Sequence, residues 1–224
     1  MKAFVVDLDR SENQSILKPI ARYSFHNQTH QVSEVAEKIY KLIKNAPYSN
    51  DNIVLKRNEI KEAFFSPFKP QLKNAQVFLS HSHADKNKAL EVKNYLENQI
   101  KRKVFIDSLF WDYKDDVLNK LAKYDDISKI KDAFTFILRE SLQDMIEKCP
   151  YFVFLQSKNS VSNQGLSQIT YSAWIYEELK IAHSISESRP IPMMESMQVF
   201  HDISPFLESF ETITLKKLSQ QINS

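Results

Sequence analysis

Glycine is nearly absent from this chain of 224 residues, in which Gly165 is the only one. Phosphate-binding loops of the GxGxxG and GxxxxGK[ST] kinds need several glycines, because their backbone turns sharply and approaches the phosphate closely. The sequence therefore excludes nucleotide binding by either loop. Any nucleotide bound by this chain must be held by a different arrangement.

Cysteine and long apolar runs are scarce as well. Cys149 is the only cysteine, so an internal disulfide cannot form, as is typical of proteins from reducing compartments. No apolar run reaches the roughly 18 residues needed to span a bilayer. The N-terminus lacks the basic and long apolar regions of a signal peptide. We therefore expect a cytoplasmic protein that does not enter a membrane.

The net charge is only +2, and the basic residues are dispersed along the chain. A nucleic-acid-binding protein usually gathers its lysines and arginines on one face, and the sequence indicates no such face. We therefore expect no nucleic-acid partner. Hydrophobic residues make up 42% of the chain, enough for a sizeable core.

A strand–helix–strand pattern occupies residues 76–108, which read QVFLSHSHADKNKALEVKNYLENQIKRKVFIDS. The apolar run Val77–Leu79 ends in the polar cluster Ser80–Asp85, and a helical pattern separates it from a second apolar run at Val104–Ile106. A third such run, Tyr151–Leu155, precedes another helical pattern. This alternation predicts an α/β fold with a parallel sheet and helices on both faces. Ligands of such sheets bind at the carboxyl ends of the strands.

Residues 1–70 are predicted to form a separate α/β or helical extension, followed by the main domain over 74–224. The boundary is placed at Ser66–Lys73, where Pro67 and Pro70 interrupt the pattern. The predicted strands are Lys2–Leu8, 76–80, 103–107, Tyr151–Leu155, Pro190–Met193 and Thr212–Leu215. The predicted helices are Ser33–Asn45 with Ser33 as its N-cap, Arg57–Phe65, Lys86–Lys101, Lys114–Tyr124, Ile130–Lys148, Thr170–Ser186 and a short terminal helix.

Two histidines and an aspartate, His81, His83 and Asp85, form an HxHxD pattern after the first apolar run. Histidines two apart at a strand end can face the same way, as metal ligands do. The pattern is similar to the motif of metallo-β-lactamase-fold hydrolases, although Lys86 stands where that family has its last histidine. Asp85 is also a good N-cap for the helix that begins at Lys86. A zinc-dependent hydrolase is therefore one hypothesis, which ranks below the two given at the end of this subsection.

Trp174 and Glu178 lie four residues apart and so share one face of a predicted helix, whereas Glu177 lies about 100° round it. The simple interpretation is a surface carboxylate above a partly buried tryptophan. The functional interpretation rests on position, because this helix follows the third strand at the sheet end that carries Ser80–Asp85.

Together, the segments FLSHSHAD, VFIDS, FVFLQSKNS and SAWIYEEL resemble, in order and spacing, a TIR (Toll/interleukin-1 receptor) domain over roughly residues 76–215. The closest likeness is to bacterial TIR proteins of Thoeris-type anti-phage defence, although Asp112 follows Trp111 where that subfamily often has glycine. The resemblance implies a flavodoxin-like fold. It also implies cleavage of NAD at the nicotinamide–ribose bond, giving ADP-ribose or a cyclic ADP-ribose-type signal.

Carried over to this sequence, the resemblance implies that Glu178 is the catalytic carboxylate. The residues expected to bind the substrate are Ser80, His81, Ser82, His83, Asp107, Ser108, Trp111 and Trp174. Asp107, Ser108 and Trp111 are expected in a loop after the second strand. NAD would be the substrate, with no further cofactor and no metal.

The partners implied are other TIR protomers and a downstream effector that senses the nucleotide product. The principal alternative is a non-catalytic TIR module that acts as an adaptor through its surface, since a fold does not fix a function. An adaptor has no need of a carboxylate at Glu178, and a zinc hydrolase needs a metal held by His81, His83 and Asp85.

Overall fold

The structure is a computed structural model. It describes residues 1–18, 28–45, 48–49, 52–53, 57–68, 73–106, 108–123, 128–164, 167–186 and 201–223. These residues belong to two compact units. Unit 1 comprises residues 1–21, 74–108 and 143–224, and unit 2 comprises residues 22–73 and 109–142.

The strands, in chain order, are β1 (Lys2–Asp7), β2 (Tyr48–Ser49), β3 (Asn52–Ile53), β4 (Ala75–His81), β5 (Lys103–Ile106), β6 (Tyr151–Gln156), β7 (Ser162–Gln164), β8 (Ser167–Thr170), β9 (His201–Asp202) and β10 (Glu211–Thr212). The helices are α1 (Ser11–Gln14), α2 (Gln28–Lys44), α3 (Arg57–Phe65), α4 (Lys86–Ile100), α5 (Ser108–Leu121), α6 (Ser128–Lys148), α7 (Ala173–Ser186), α8 (Ser204–Ser209) and α9 (Leu215–Asn223).

Unit 1 is built on a five-stranded parallel sheet with the order β10-β1-β6-β4-β5. The α/β prediction with a parallel sheet flanked by helices is confirmed, and the arrangement is consistent with a flavodoxin-like fold. A flavodoxin-like sheet has the strand order 2-1-3-4-5. Here β5, β4 and β6 take the first three places, and the first strand of the chain takes the fourth.

Strand β1 is part of the sheet, although the sequence predicts a domain boundary near residue 70. All of β1 pairs with β6, from Lys2 opposite Tyr151 to Asp7 opposite Gln156, and β10 pairs with its other side. Its run Phe4–Val6 is buried, as expected for a strand covered on both faces. The N-terminal residues therefore belong to the sheet, whereas residues 22–73 group with 109–142.

Aromatic rings fill the core of unit 1. The Phe78 ring lies 5.7 Å from that of Phe105 and 5.8 Å from that of Phe152, and Phe152 in turn contacts Phe210 at 5.9 Å. Helix α4 packs against β4, β5 and α9, and α7 packs against β1, β4, β8 and α8. The sheet thus holds α7 beside the strands whose carboxyl ends carry the candidate site.

Unit 2 consists mainly of helices. Helix α2 packs against α3, and a two-stranded antiparallel hairpin, β2–β3, lies between them in the chain. The Phe64 ring meets the rings of Tyr113 at 5.2 Å and Phe134 at 6.0 Å, edge to face. Burial raises the pKa of the Tyr113 hydroxyl, because its ionised form would lose hydration.

Several predicted bounds differ from the structure. Helix α2 begins at Gln28, so Ser33 lies inside it and is not an N-cap. Helix α5 begins at Ser108 instead of Lys114. The polar segment after β6 contains the β7–β8 hairpin, so α7 begins at Ala173. The predicted strand Pro190–Met193 lies outside the described residues.

Cys149 belongs to unit 1, and its thiol provides a direct probe of the core of that unit. It is 2% exposed, and burial raises the pKa of its thiol from 9.0 to about 12. The unfolded chain therefore releases this proton at a lower pH than the folded one. We expect the free energy of unfolding to fall by up to about 1.4 kcal/mol per pH unit as the pH rises from 9.0 towards the folded value.

Chemical denaturation between pH 8 and 11, compared with Cys149→Ala, measures the contribution of the thiol. The parent protein should lose stability more steeply than the variant. Equal slopes would contradict the burial of the thiol.

Candidate functional site

The carboxyl ends of β1, β4 and β6 lie side by side, because these strands are parallel neighbours. We call this region the carboxyl edge. The residues at the end of β4 differ sharply in exposure: Ser80 is 0% and His81 3% exposed, Ser82 is half-buried, and His83 is exposed.

The hydroxyl of Ser80 is fully buried and has no hydrogen-bond partner among the described residues. Buried polar groups are nearly always hydrogen-bonded, so an exception calls for an explanation such as a functional role. Ser80 is the next-to-last residue of β4 and begins the polar cluster, which makes it a candidate contact for a ligand.

His81 and His83 do not face the same way. His81 ends β4 and is buried, whereas His83 begins a short 3₁₀ turn, His83–Asp85, and is exposed. The alternation expected of a continuing strand is lost, because the backbone turns after His81. Among the described residues, no three His, Cys, Asp or Glu side chains are grouped so that they could hold a metal ion. The structure therefore gives the zinc hypothesis no support.

Asp85 joins the end of β4 to the turn that follows β6. It stands at the N-cap position of α4, but its carboxylate makes no capping bond to the helix. Instead, the carboxylate accepts hydrogen bonds from the Ser157 hydroxyl and from Asn159 Nδ2, the latter at 2.8 Å. The predicted N-cap role is thus wrong. At 2% exposure, Asp85 is a buried carboxylate satisfied by partners distant in sequence.

Asp9 holds the same turn from the other side. Its carboxylate accepts a hydrogen bond from the Lys158 backbone N–H at 2.9 Å and lies 3.5 Å from the Lys88 ammonium. Ser157, Lys158 and Asn159, which we call the β6 turn, are therefore each bonded to a carboxylate from the loop after β1 or β4. Three strand ends are tied together at the carboxyl edge.

Glu178 is completely buried, with 0% of its surface exposed. The other buried residues of α7 are Ile175, Leu179, Ile181 and Ala182. Ile175, Glu178, Leu179 and Ala182 fall at spacings of three and four, so the carboxylate lies on the helix face turned towards the protein interior. The simple interpretation of Glu178 as a surface carboxylate is wrong, although Trp174 is half-buried as that interpretation assumed.

Aromatic and charged side chains surround the middle of α7. The Tyr176 ring stacks on His201 at 4.6 Å, and the Lys180 ammonium lies 5.8 Å from the centre of the Tyr176 ring. Burial raises the pKa of the Tyr176 hydroxyl, and the neighbouring Glu177 carboxylate raises it further. Glu177 itself is half-buried, which sets it apart from Glu178.

The segment after β5 is not the loop that the resemblance implied. Asp107 lies outside the described residues, and Ser108 and Trp111 belong to helix α5. Tyr113, Val117 and Leu121 are buried at four-residue spacing, so the apolar stripe of this helix starts before the predicted beginning at Lys114. Trp111 also belongs to unit 2, whereas Ser80–His83, Trp174 and Glu178 all belong to unit 1.

Asp9 and the β6 turn were not predicted as parts of the site. Their signal in the sequence is positional, since both directly follow apolar strands, FVVDL and FVFLQ. Nothing local indicated that β1 lies beside β6, and so the meeting of Asp9 with Lys158 could not be read from the pattern.

Comparisons with protein-family models, with curated proteins and with solved structures return no match to this chain. In the part of the chain that the structure describes, no helix has the length and apolar character required to cross a membrane. The candidate site must therefore be judged on its own geometry.

The Asp85 contacts make a testable prediction. In Asp85→Ala, Ser157 and Asn159 lose a buried carboxylate acceptor, and we expect a loss of about 2–4 kcal/mol in the free energy of unfolding. The backbone amide protons of Lys158 and Asn159 should also exchange faster with solvent. Chemical denaturation and hydrogen exchange followed by NMR measure the two effects.

Asp202→Ala is the matched control, because the exposed Asp202 carboxylate likewise accepts bonds from the amide and hydroxyl of one serine, Ser204. Exposure lets water replace this acceptor, so the control should lose less than about 1 kcal/mol. Equal losses in the two variants would show that the hydrogen bonds of Asp85 stabilise the fold no more than those of an exposed carboxylate.

Proposed function

We propose that this chain is a TIR-type enzyme that cleaves the nicotinamide–ribose bond of NAD. Its product would be ADP-ribose or a cyclic ADP-ribose-type signal in anti-phage defence. The single observation that carries the proposal is the burial of Glu178 on the inward face of α7, a helix packed against β4. Carboxylates are rarely placed in an apolar helix face without a structural or functional reason.

A buried carboxylate suits the proposed reaction. Breaking the bond between ribose C1′ and the nicotinamide nitrogen leaves the bonding electron pair on nicotinamide, which departs neutral. The ribose then carries oxocarbenium-like positive charge, and a carboxylate in a water-poor site stabilises that charge strongly. Water adding to C1′ and losing a proton gives ADP-ribose, whereas attack by the adenine base gives a cyclic product.

The remaining site residues have supporting roles in this proposal. The Ser80 hydroxyl, buried and without a hydrogen-bond partner among the described residues, would bind a nucleotide hydroxyl or phosphate once the residues that cover it move. His81, Ser82 and His83 continue from it at the carboxyl edge, and Trp174 lies one helical turn before Glu178. Ser108 and Trp111 are given no role, because they belong to α5 and not to a loop at this edge.

Substrate access is the main requirement that the structure places on the proposal. Glu178 has no exposed surface in the free protein, so NAD reaches it only when the residues that cover it move. NAD binding must therefore be coupled to movement of the residues that cover Glu178. An activating signal, or contacts with other TIR protomers, would favour this movement. Substrate-dependent ordering of this kind is common among enzymes that close over their ligands.

The same burial favours a second candidate, a non-catalytic TIR adaptor. In that case Glu178 would serve the packing of α7, and the exposed surface would bind another TIR protein. The adaptor needs no substrate access, and it predicts no turnover under any condition.

Nicotinamide release from NAD by the purified protein, with and without extract from phage-infected cells, separates the candidates. We expect turnover, and we expect Glu178→Gln to reduce it by about 100-fold or more, because it removes the charge that stabilises the transition state while preserving side-chain shape. Glu177→Gln is the matched control, since it removes a neighbouring carboxylate that points elsewhere, and it should leave turnover close to that of the parent.

Absence of turnover by the parent at high protein concentration, with and without the extract, would favour the adaptor. Turnover that persists unchanged in Glu178→Gln would show that another residue carries the reaction.

A further inference from the structure

Strand β5 is an end strand of the five-stranded sheet, with β4 on one side and, among the described residues, no further strand on the other. End strands expose backbone N–H and C=O groups that can pair with a strand of another molecule. In the structure, the backbone groups of Val104, in the middle of β5, are already occupied.

Two side chains of α4 occupy both backbone groups of Val104. The Val104 N–H donates to Glu97 Oε1 at 3.0 Å, and the Lys93 ammonium donates to the Val104 carbonyl at 2.6 Å. Lys93 and Glu97 also bond to each other. An amide N–H has only one proton to donate, so Val104 cannot also donate to a strand of another chain.

This pair, the edge clamp, is unlike an ordinary surface ion pair. Its side chains are 17% and 24% exposed, whereas those of the Lys41–Glu37 pair on α2 are 66% and 58% exposed. Burial lowers the pKa of Lys93, although Glu97 opposes this, so the protein pays a desolvation cost to keep the ammonium there. These two half-buried charges are held against the backbone of β5 and are not part of the candidate site at the carboxyl edge.

We propose that Lys93 and Glu97 close the β5 edge against strand pairing with a second copy of this chain. The clamp occupies both backbone groups of Val104, which a second β5 would need, and Lys93 and Glu97 would have to lose these partners before a strand could dock. A second copy is the occupant that the chemistry selects, because β5 itself, Lys103–Ile106, supplies an identical apolar strand at the same concentration. This inference does not depend on the proposed NAD chemistry.

The double variant Lys93→Met/Glu97→Met tests the proposal. Methionine keeps an unbranched side chain and a high helix propensity, but it neither donates to nor accepts from Val104 as the clamp does. We expect concentration-dependent self-association by light scattering after size-exclusion chromatography, with slower amide exchange in β5 of the associated form. Lys41→Met/Glu37→Met adds the same apolar groups to an exposed pair and should keep the size of the parent.

Hydrogen exchange in the parent gives a test that needs no variant. The Val104 amide should exchange about tenfold or more slowly than an end-strand amide left to solvent, because it is bonded to a carboxylate. Rapid exchange at Val104 in the parent would overturn the proposal, even if the double variant failed to fold. A folded double variant that keeps the size of the parent at all concentrations would also overturn it, as would equal association of the control variant.

Discussion

Strand β1 bonds along all six of its residues to β6, and its other side receives β10. The carboxyl edge depends on this pairing, because it places the loop after β1 beside the turn after β6. Asn13 strengthens it: its amide donates to the Asp7 carbonyl at 2.7 Å, and its oxygen accepts from the Leu215 N–H at 2.9 Å. At 1% exposure, Asn13 links the first strand to the last helix through bonds that water does not weaken.

The hydrogen bonds at the carboxyl edge depend on which strands are neighbours. Asp9 reaches the Lys158 amide only because β1 and β6 are neighbours, and Asp85 reaches Ser157 and Asn159 only because β4 lies on the other side of β6. The β6 turn is thereby held from two directions by carboxylates. A site built on strand ends that are tied together can keep its polar groups in fixed positions, which is what selective binding and catalysis require.

The sequence predicted local structure well and long-range placement poorly. Strands β4 and β6 were predicted because continuous apolar runs form strands covered on both faces. The existence of β1 was predicted from the same kind of run, but its place in the sheet was not, since the order of strands is decided by contacts between distant segments. The beginning of α5 at Ser108 was missed because aromatic residues and aspartates obscure its helical pattern.

The candidate site shows the same limits. Its spacing to Trp174 and a family resemblance point to Glu178, but its complete burial cannot be predicted, since glutamates on helices usually face water. The pattern His81-x-His83 suggested a common orientation, and the turn after His81 removed it. The sequence predicts a local capping role for Asp85, because partners more than seventy residues away leave no trace in the pattern around it.

The proposed function requires that a nucleotide binds at the carboxyl edge and reaches Glu178. Hydrogen exchange measured by mass spectrometry on Glu178→Gln, in the presence and absence of NAD, tests this directly, because the variant should bind the nucleotide but consume it about 100-fold or more slowly than the parent. Binding of NAD there should slow exchange in the segment after β4, in the β6 turn and in the first half of α7. Unchanged exchange in these three segments at saturating NAD would contradict it.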